Sequence, residues 1–434
     1  MPRLLVKRKA RVLSVAVLAV VLLCGMVCWP VPADPTAAGQ KAAQLIGVCV
    51  YTFGDNVYGQ LGVGDLLPHS GVQVRYYGHL GASVVGISTQ GTHTLILLKD
   101  PMLVWTVVNS LIGFGDNHEG ELGLSPGPTF PVWYPATKVP SPTVIAPFST
   151  EQVLAISAGF YHTLVLSRTA SGVTKLYSFG RNAAGQLGIG TTDGHGMRQE
   201  VTFFSGMNVR AISAGGESSL VLVEDVYGNS HLYGFGWNLL GQLGLGNTTP
   251  YYTYPQPISG IPSGPHSISA ISTSGMHSLV LMANGDVYSF GMNSNGQLGL
   301  GYTSAPVTTP TKIPMSGPIK GISAGWRHSL FIYQGGVASC GLNSSGQLGF
   351  GDKVDRWSPT LIPGTAPYTT AISAGWIHSL YLNGLTHTAY GCGSNASYQL
   401  GLTATTVYLS PQVIPVGAVR AIAAGWVHSL LVGM

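Results

Sequence analysis

Six histidines, His93, His162, His277, His328, His378 and His428, occupy one recurring position of this 434-residue chain, and Ser218 stands there in a seventh copy. Imidazole is both a metal ligand and a proton carrier, so such a set invites zinc or acid–base chemistry. Zinc needs three or four ligands within about 2.3 Å of one point. Ligands supplied once per copy are instead spread around whatever the copies build, and these histidines are expected to be structural. No metal and no cofactor is assigned. The chain contains no phosphate loop, no zinc motif and no Gly-x-Ser-x-Gly elbow, so no catalytic residue is assigned and the expected activity is non-enzymatic.

A second set breaks the repetition. The residue following the Ser-Ala-Gly slot is Gly91, Phe160, Gly216 and Gly275 in the first four copies, but Trp326, Trp376 and Trp426 in the last three, at steps of 50 residues. Equivalent positions on consecutive units bring these indoles to one side of one face. Together with Arg327 they are the residue types that dominate binding hot spots, which makes Trp326, Arg327, Trp376 and Trp426 the candidate binding patch. Packing of the same indoles between units near a central channel is the alternative.

The elements that must position these residues are copied seven times. A stretch of the form Gly-x-Asn-x-x-Gly-Gln-Leu-Gly ends at Gly62, Gly123, Gly188, Gly244, Gly299, Gly349 and Gly401, in steps of 61, 65, 56, 55, 50 and 52 residues. A period of roughly 50 residues belongs to propeller-type repeats. Each copy reads as four short strands. Val209 to Gly215 alternates apolar with small residues, as a strand crowded near an axis must. His277 to Leu281 and Val287 to Phe290 flank Asn284-Gly285, whose positive φ angles suit a tight hairpin. The glycine-rich motif is a structured loop, and a Pro-containing segment such as Ala305 to Pro310 leads to an edge strand. The chain stops at His428 to Met434, where every earlier copy continues into a Val-Tyr-x-Phe-Gly strand. That strand stands at the front, as Val50 to Gly54. The two ends should pair, giving an all-β, seven-bladed β-propeller over residues 48–434, without open sheet edges and monomeric.

The pattern Val-Tyr-Ser-Phe-Gly-x-Asn-x-x-Gly-Gln-Leu-Gly, followed by Ile-Ser-Ala-Gly-x-x-His-Ser-Leu, resembles the repeat of the regulator of chromosome condensation family. The resemblance implies a seven-bladed propeller. It leaves function open, because members include a guanine nucleotide exchange factor for a nuclear GTPase, a plant UV-B photoreceptor and modules of ubiquitin ligases. The segments Gly325 to Ser329, Gly375 to Ser379 and Gly425 to Ser429 are similar to the Gly-Trp-Arg-His-Thr motifs that supply the photoreceptor's tryptophans, but Ile377 and Val427 stand where Arg327 has its counterparts.

The N-terminus carries a different signal. Arg3, Lys7, Arg8, Lys9 and Arg11 precede the apolar run from Val12 to Trp29, and Ala33 ends a small-residue cleavage pattern. Residues 1–33 are read as a signal peptide or a signal-anchor helix, and residues 34–47 as a linker; at eighteen residues the run is close to the roughly twenty of a membrane span. The expected location is the secretory route, either secreted or membrane-anchored. Without the five leader cations the remainder has 15 basic and 16 acidic residues, a net charge of 15 − 16 = −1. No basic stripe runs through the repeats, so nucleic acid is not an expected partner. The leading reading is a propeller that binds a protein or other extracellular ligand through loops on one face; a guanine nucleotide exchange factor and a tryptophan-based UV-B sensor are the alternatives.

Removing the leader also removes Cys24 and Cys28. Cys49, Cys340 and Cys392 remain, too few for a disulfide framework. Cys340 and Cys392 fill the slot of Phe179 and Phe290 and are expected to be buried thiols. The apolar stretch from Asp100 to Ser110 and the Pro-rich stretch from Pro126 to Ser149 lengthen the first two units and are read as an extended hairpin and a tolerated loop. Among matches to the N-glycosylation pattern, Asn343 and Asn395 belong to the repeat loop and only Asn247 is a fair acceptor.

Overall fold

A computed structural model describes residues 48–77, 82–99, 110–124, 138–145, 148, 150–365 and 367–434. The leader, the linker and most of both insertions lie outside the described residues. Seven four-stranded antiparallel sheets surround one axis, and the inner strand of each packs against the inner strand of the next until the seventh meets the first. Blade 1 begins at Ser83–Thr89 and blade 6 ends at Val407–Val413. Blade 7 combines Val419–Ala424 and His428–Gly433 from one end of the chain with Val48–Gly54 and His69–Tyr77 from the other. Val50 opposes Val432 and Phe53 opposes Ser429, so the ring closes by the strand exchange expected from the two ends. Among the described residues no helix is long and apolar enough to cross a membrane.

The repeated residues have repeated jobs. In the inner strands serine is short enough for seven strands to converge, and its hydroxyl ties neighbours together. Ser157 Oγ accepts the Ala214 N–H at 2.8 Å, and Ser323 Oγ accepts the Ala374 N–H at 3.0 Å. In the loop of blade 4, Asn293 Oδ1 accepts the Leu298 N–H at 3.2 Å while its Nδ2 donates to the Tyr302 carbonyl at 2.9 Å. That clamp drives Leu298 fully into the core. The equivalent Asn343 and Asn395 are likewise buried and engaged, and even Asn247 is held, accepting the Thr249 N–H at 3.0 Å.

Two local expectations need correction. In the blade 4 hairpin only Gly285 has positive φ, +88°; Asn284 instead uses Oδ1 to accept the Asp286 N–H at 2.9 Å. The turn is therefore a type I turn completed by a left-handed glycine, not one with two left-handed residues. Ala305 to Pro310 also does not precede the edge strand but lies inside it, within Ser304–Lys312. The outer side of that strand has no partner to miss the proline N–H.

Six imidazoles latch the blades together. His328 Nε2 lies 2.9 Å from Ser379 Oγ of the next blade, and Ser379 Oγ donates to the Gln347 carbonyl at 2.7 Å. Because the hydroxyl proton goes to the carbonyl, the imidazole donates from Nε2. The same bond joins His93 to Thr163, His162 to Ser219, His277 to Ser329, His378 to Ser429 and His428 to Thr94, at 2.7–3.1 Å. All six are fully buried, and burial pushes each down to about 3. The Gly of Ser-Ala-Gly makes room for the ring: a Cβ on Gly375 would fall 2.5 Å from His378 Cε1. Among the described residues no three His, Cys, Asp or Glu side chains gather as a metal set.

Blade 3 lacks the latch. Ser218 Oγ is buried there without a partner among the described residues. On the facing blade 4, Ser278 turns to Thr273 Oγ1 at 2.9 Å, a hydroxyl where most blades have alanine. Cys340 and Cys392 are free, fully buried thiols whose pKa burial pushes up.

Candidate functional site

In every blade the turn between the first two strands and the glycine-rich loop after the third emerge on the same face of the disc, here the turn face. Backbone bonds tie them together: the Leu342 N–H donates to the Arg327 carbonyl at 2.8 Å, Ser394 to Ile377 at 2.9 Å and Asp55 to Val427 at 2.9 Å. Residues preceding those carbonyls therefore form a ring around the channel mouth. That ring contains the three tryptophans.

The rings pack on one another. Trp326 and Trp376 meet edge to face with centroids 5.0 Å apart, and Trp376 and Trp426 do so at 4.8 Å. Phe160 stacks on Trp426 at 6.1 Å, from a blade two positions further round the ring. The glycines of the other blades leave the space these rings fill. A Cβ on Gly275 would lie 2.8 Å from Trp326 Cδ1, and one on Gly216 would lie 3.5 Å from Phe160 Cδ2. Below them Gln90 reaches across the channel, its Nε2 donating to the Thr273 carbonyl at 3.2 Å. What remains between Gln90, Phe160, Trp326 and Trp376 is a gap of about 10 Å³, roughly the room one water needs.

The tryptophans are thus neither wedged between blades nor fully exposed. They close the channel mouth as a half-buried aromatic cap. Arg327 lies over Trp326, its guanidinium carbon 4.3 Å from the ring centroid, and no carboxylate among the described residues pairs with it. Its Nε is buried without a hydrogen-bond partner among the described residues. The structure therefore brings Arg327 and all three tryptophans together, as their spacing required.

Around the cap the turn face is divided. Next to the tryptophans stand Met276, Met292, Leu342, Ile377 and Val427, all half-buried. Asp116 and Glu119 of blade 1 lie on the other side, together with the Arg181–Glu217 pair at 3.3 Å, whereas Asp55 stands beside Val427. Phe160 and Gln90 were not singled out from the sequence. Their signal was there: Phe160 is the one bulky residue among four at its slot, and Gln90 replaces a glycine or serine of the other copies.

The model of the RCC1-like domain matches residues 49–431. The chain belongs to the RCC1-like domain family. This RCC1-like propeller is similar to the ultraviolet-B receptor UVR8 of Arabidopsis thaliana, with 28% identity over 295 residues, covering 68% of the chain and 60% of the receptor. Its fold is that of human WBSCR16, with a TM-score of 0.73 and 22% identity over 89% of this chain and all of that one. Prp20p of Saccharomyces cerevisiae, a protein described by its binding to Gsp1p and histones, superposes with a TM-score of 0.71 and 19% identity over 91% of this chain and 94% of its own. The match thus spans 60% of the receptor's length, less than two thirds of it.

Proposed function

We propose that this RCC1-like propeller is a non-catalytic binding module, exported or membrane-anchored through its leader, that holds a partner on the turn face. The observation carrying this reading is Arg327, stacked on Trp326 at 4.3 Å with no carboxylate partner among the described residues, beside two edge-to-face tryptophan pairs. Aromatic rings that are already packed lose little freedom on binding, and a cation on such a surface favours a partner that presents a carboxylate next to apolar groups. Proximity labelling in the cells of origin, with the full chain and with Trp326→Ala/Trp376→Ala/Trp426→Ala, tests it. The triple variant should lose the labelled partner while keeping a cooperative thermal transition; an unchanged partner set sinks the reading. Sequencing the mature N-terminus from fractionated cells tests export, which fails if intact Met1 is found on cytosolic or nuclear protein.

A second reading is favoured by the same geometry. Indoles 5.0 and 4.8 Å apart absorb as a coupled group, and the similarity to an ultraviolet-B receptor adds weight to a light sensor. Ile377 and Val427 in place of arginine count against it. Irradiation followed by light scattering separates the two, because a sensor changes its association state and a simple binder keeps it.

A further inference from the structure

The opposite face of the disc, where the hairpins between second and third strands project, has its own chemistry. The chain enters the propeller there. Val48–Gly54 runs from the hairpin face to the turn face, where the Asp55 N–H is bonded to Val427, so the first described residue, Val48, stands at the hairpin face. The fourteen residues 34–47 between this point and the apolar leader reach at most about 50 Å when fully extended.

The two faces also differ in charge. On the hairpin face the described carboxylates are already engaged, as in Lys312–Asp286 at 2.7 Å, Lys175–Glu200 at 2.9 Å and Arg210–Glu224 at 3.2 Å. Lys99, Arg168, Lys320 and Arg420 are exposed there, and none has a carboxylate partner among the described residues. Asp55, Asp116 and Glu119 belong to the turn face instead. The unpaired cations of the hairpin face would attract an anionic plane.

Apolar side chains complete the pattern. Val226 and Tyr227, at the tip of the blade 3 hairpin, are 94% and 81% exposed. They are held out, because the Asp225 carboxylate accepts the Tyr227 and Asn229 N–H groups, each at 2.9 Å. Leu385 on the blade 6 hairpin and Tyr368 on the connection before it are also exposed. These tips form two groups, one on blade 3 and one on blade 6. A protein pocket would engage one of them, whereas a flat surface meets several at once.

We infer that the hairpin face is a docking face for an anionic lipid bilayer, with the unpaired cations on the headgroups and the apolar tips in the interfacial layer. This orientation turns the aromatic cap away from the membrane, but it does not depend on what the cap binds.

The test reconstitutes the full chain in phosphatidylcholine nanodiscs with about 30% phosphatidylserine and a photoactivatable lipid, and maps lipid adducts by mass spectrometry. Adducts are expected on residues 225–230 and 384–387, several-fold above those on the turn-face loops 292–297 and 342–347. They should fall several-fold in pure phosphatidylcholine discs, and equally in a Lys320→Glu/Arg420→Glu chain. Adducts spread evenly over both faces, or concentrated on the turn face, overturn the inference. An undiminished hairpin-face signal in neutral lipid overturns it as well, because tethering alone would then explain proximity. The lipid comparison needs no variant, so it decides even if the charge reversals misfold.

Discussion

His378 and Trp376 are two residues apart and do opposite things. The imidazole is buried between blades and makes the same bond in six of the seven copies; the indole lies at the channel mouth, where the copies differ. Repetition in one ring marks what every blade interface needs, and its loss in the next ring marks where this chain differs from a generic propeller. The latch should therefore govern stability and the cap should govern binding.

The strongest way to break that division is acid. The six latch histidines remain neutral in the fold down to about 3, whereas in the unfolded chain they gain a proton as pH falls through the ordinary value near 6.5. The unfolded state thus binds more protons over that window, and stability falls as pH falls. Each group contributes up to about 1.4 kcal/mol per pH unit, so six together should unfold the disc between about pH 4 and 6. Circular dichroism against pH checks this; an unfolding temperature indifferent to pH down to about 4 would contradict a neutral latch.

A single cut through the same ring is smaller. His378→Ala removes the donor to Ser429 and leaves a cavity between two blades, with an expected loss of about 2–4 kcal/mol in chemical denaturation. Trp376→Ala should cost less stability while removing binding. If the two variants lost stability equally, the cap would be a structural plug and not a displayed surface.

Next comes a site where one blade departs from the rest in the buried part of its loop. Glu121 fills the slot that holds glutamine in the other six copies, its Oε2 accepting the Glu119 N–H at 2.9 Å as glutamine Oε1 does elsewhere. Burial, reinforced by Asp116, pushes its pKa up to about 8. The unfolded carboxyl ionises near 4.5, so this group costs stability as pH rises from there towards about 8. Glu121→Gln should stabilise the chain by about 1–3 kcal/mol at pH 8 and change little at pH 4. Equal effects at both pH values would mean that the carboxyl is not held neutral.

The fold was readable because its determinants are local and repeated. Asn293, Gln297 and Leu298 clamp their own loop, and Val50 to Gly54 completes the unit left unfinished at His428, so neither required knowledge of distant contacts. The cap was readable only in part. Trp326, Trp376 and Trp426 share a slot, and their meeting followed from the period. That Phe160 stacks on Trp426, that Gln90 bridges to Thr273 and that Arg327 has no counter-ion among the described residues depend on how side chains cross the axis, a direction that no spacing along the chain encodes. The hairpin turn was misjudged for a local reason: Asn284 satisfied the backbone with its side chain and had no need of a left-handed conformation.

The finest test lies at the interface with no histidine. Ser218 Oγ is buried with no partner among the described residues, whereas Ser278 Oγ donates to the Gln242 carbonyl at 2.8 Å and also meets Thr273 Oγ1. Deleting an unpaired hydroxyl removes a desolvation cost, while deleting a paired one strands its acceptor. Ser218→Ala should shift stability by no more than about 0.5 kcal/mol, with the sign towards stabilisation, and Ser278→Ala should cost about 1–2 kcal/mol. If Ser218→Ala proved as damaging as Ser278→Ala, the third interface would hold a latch of its own through that hydroxyl, and the Thr273 hydroxyl would not be its substitute for the missing imidazole.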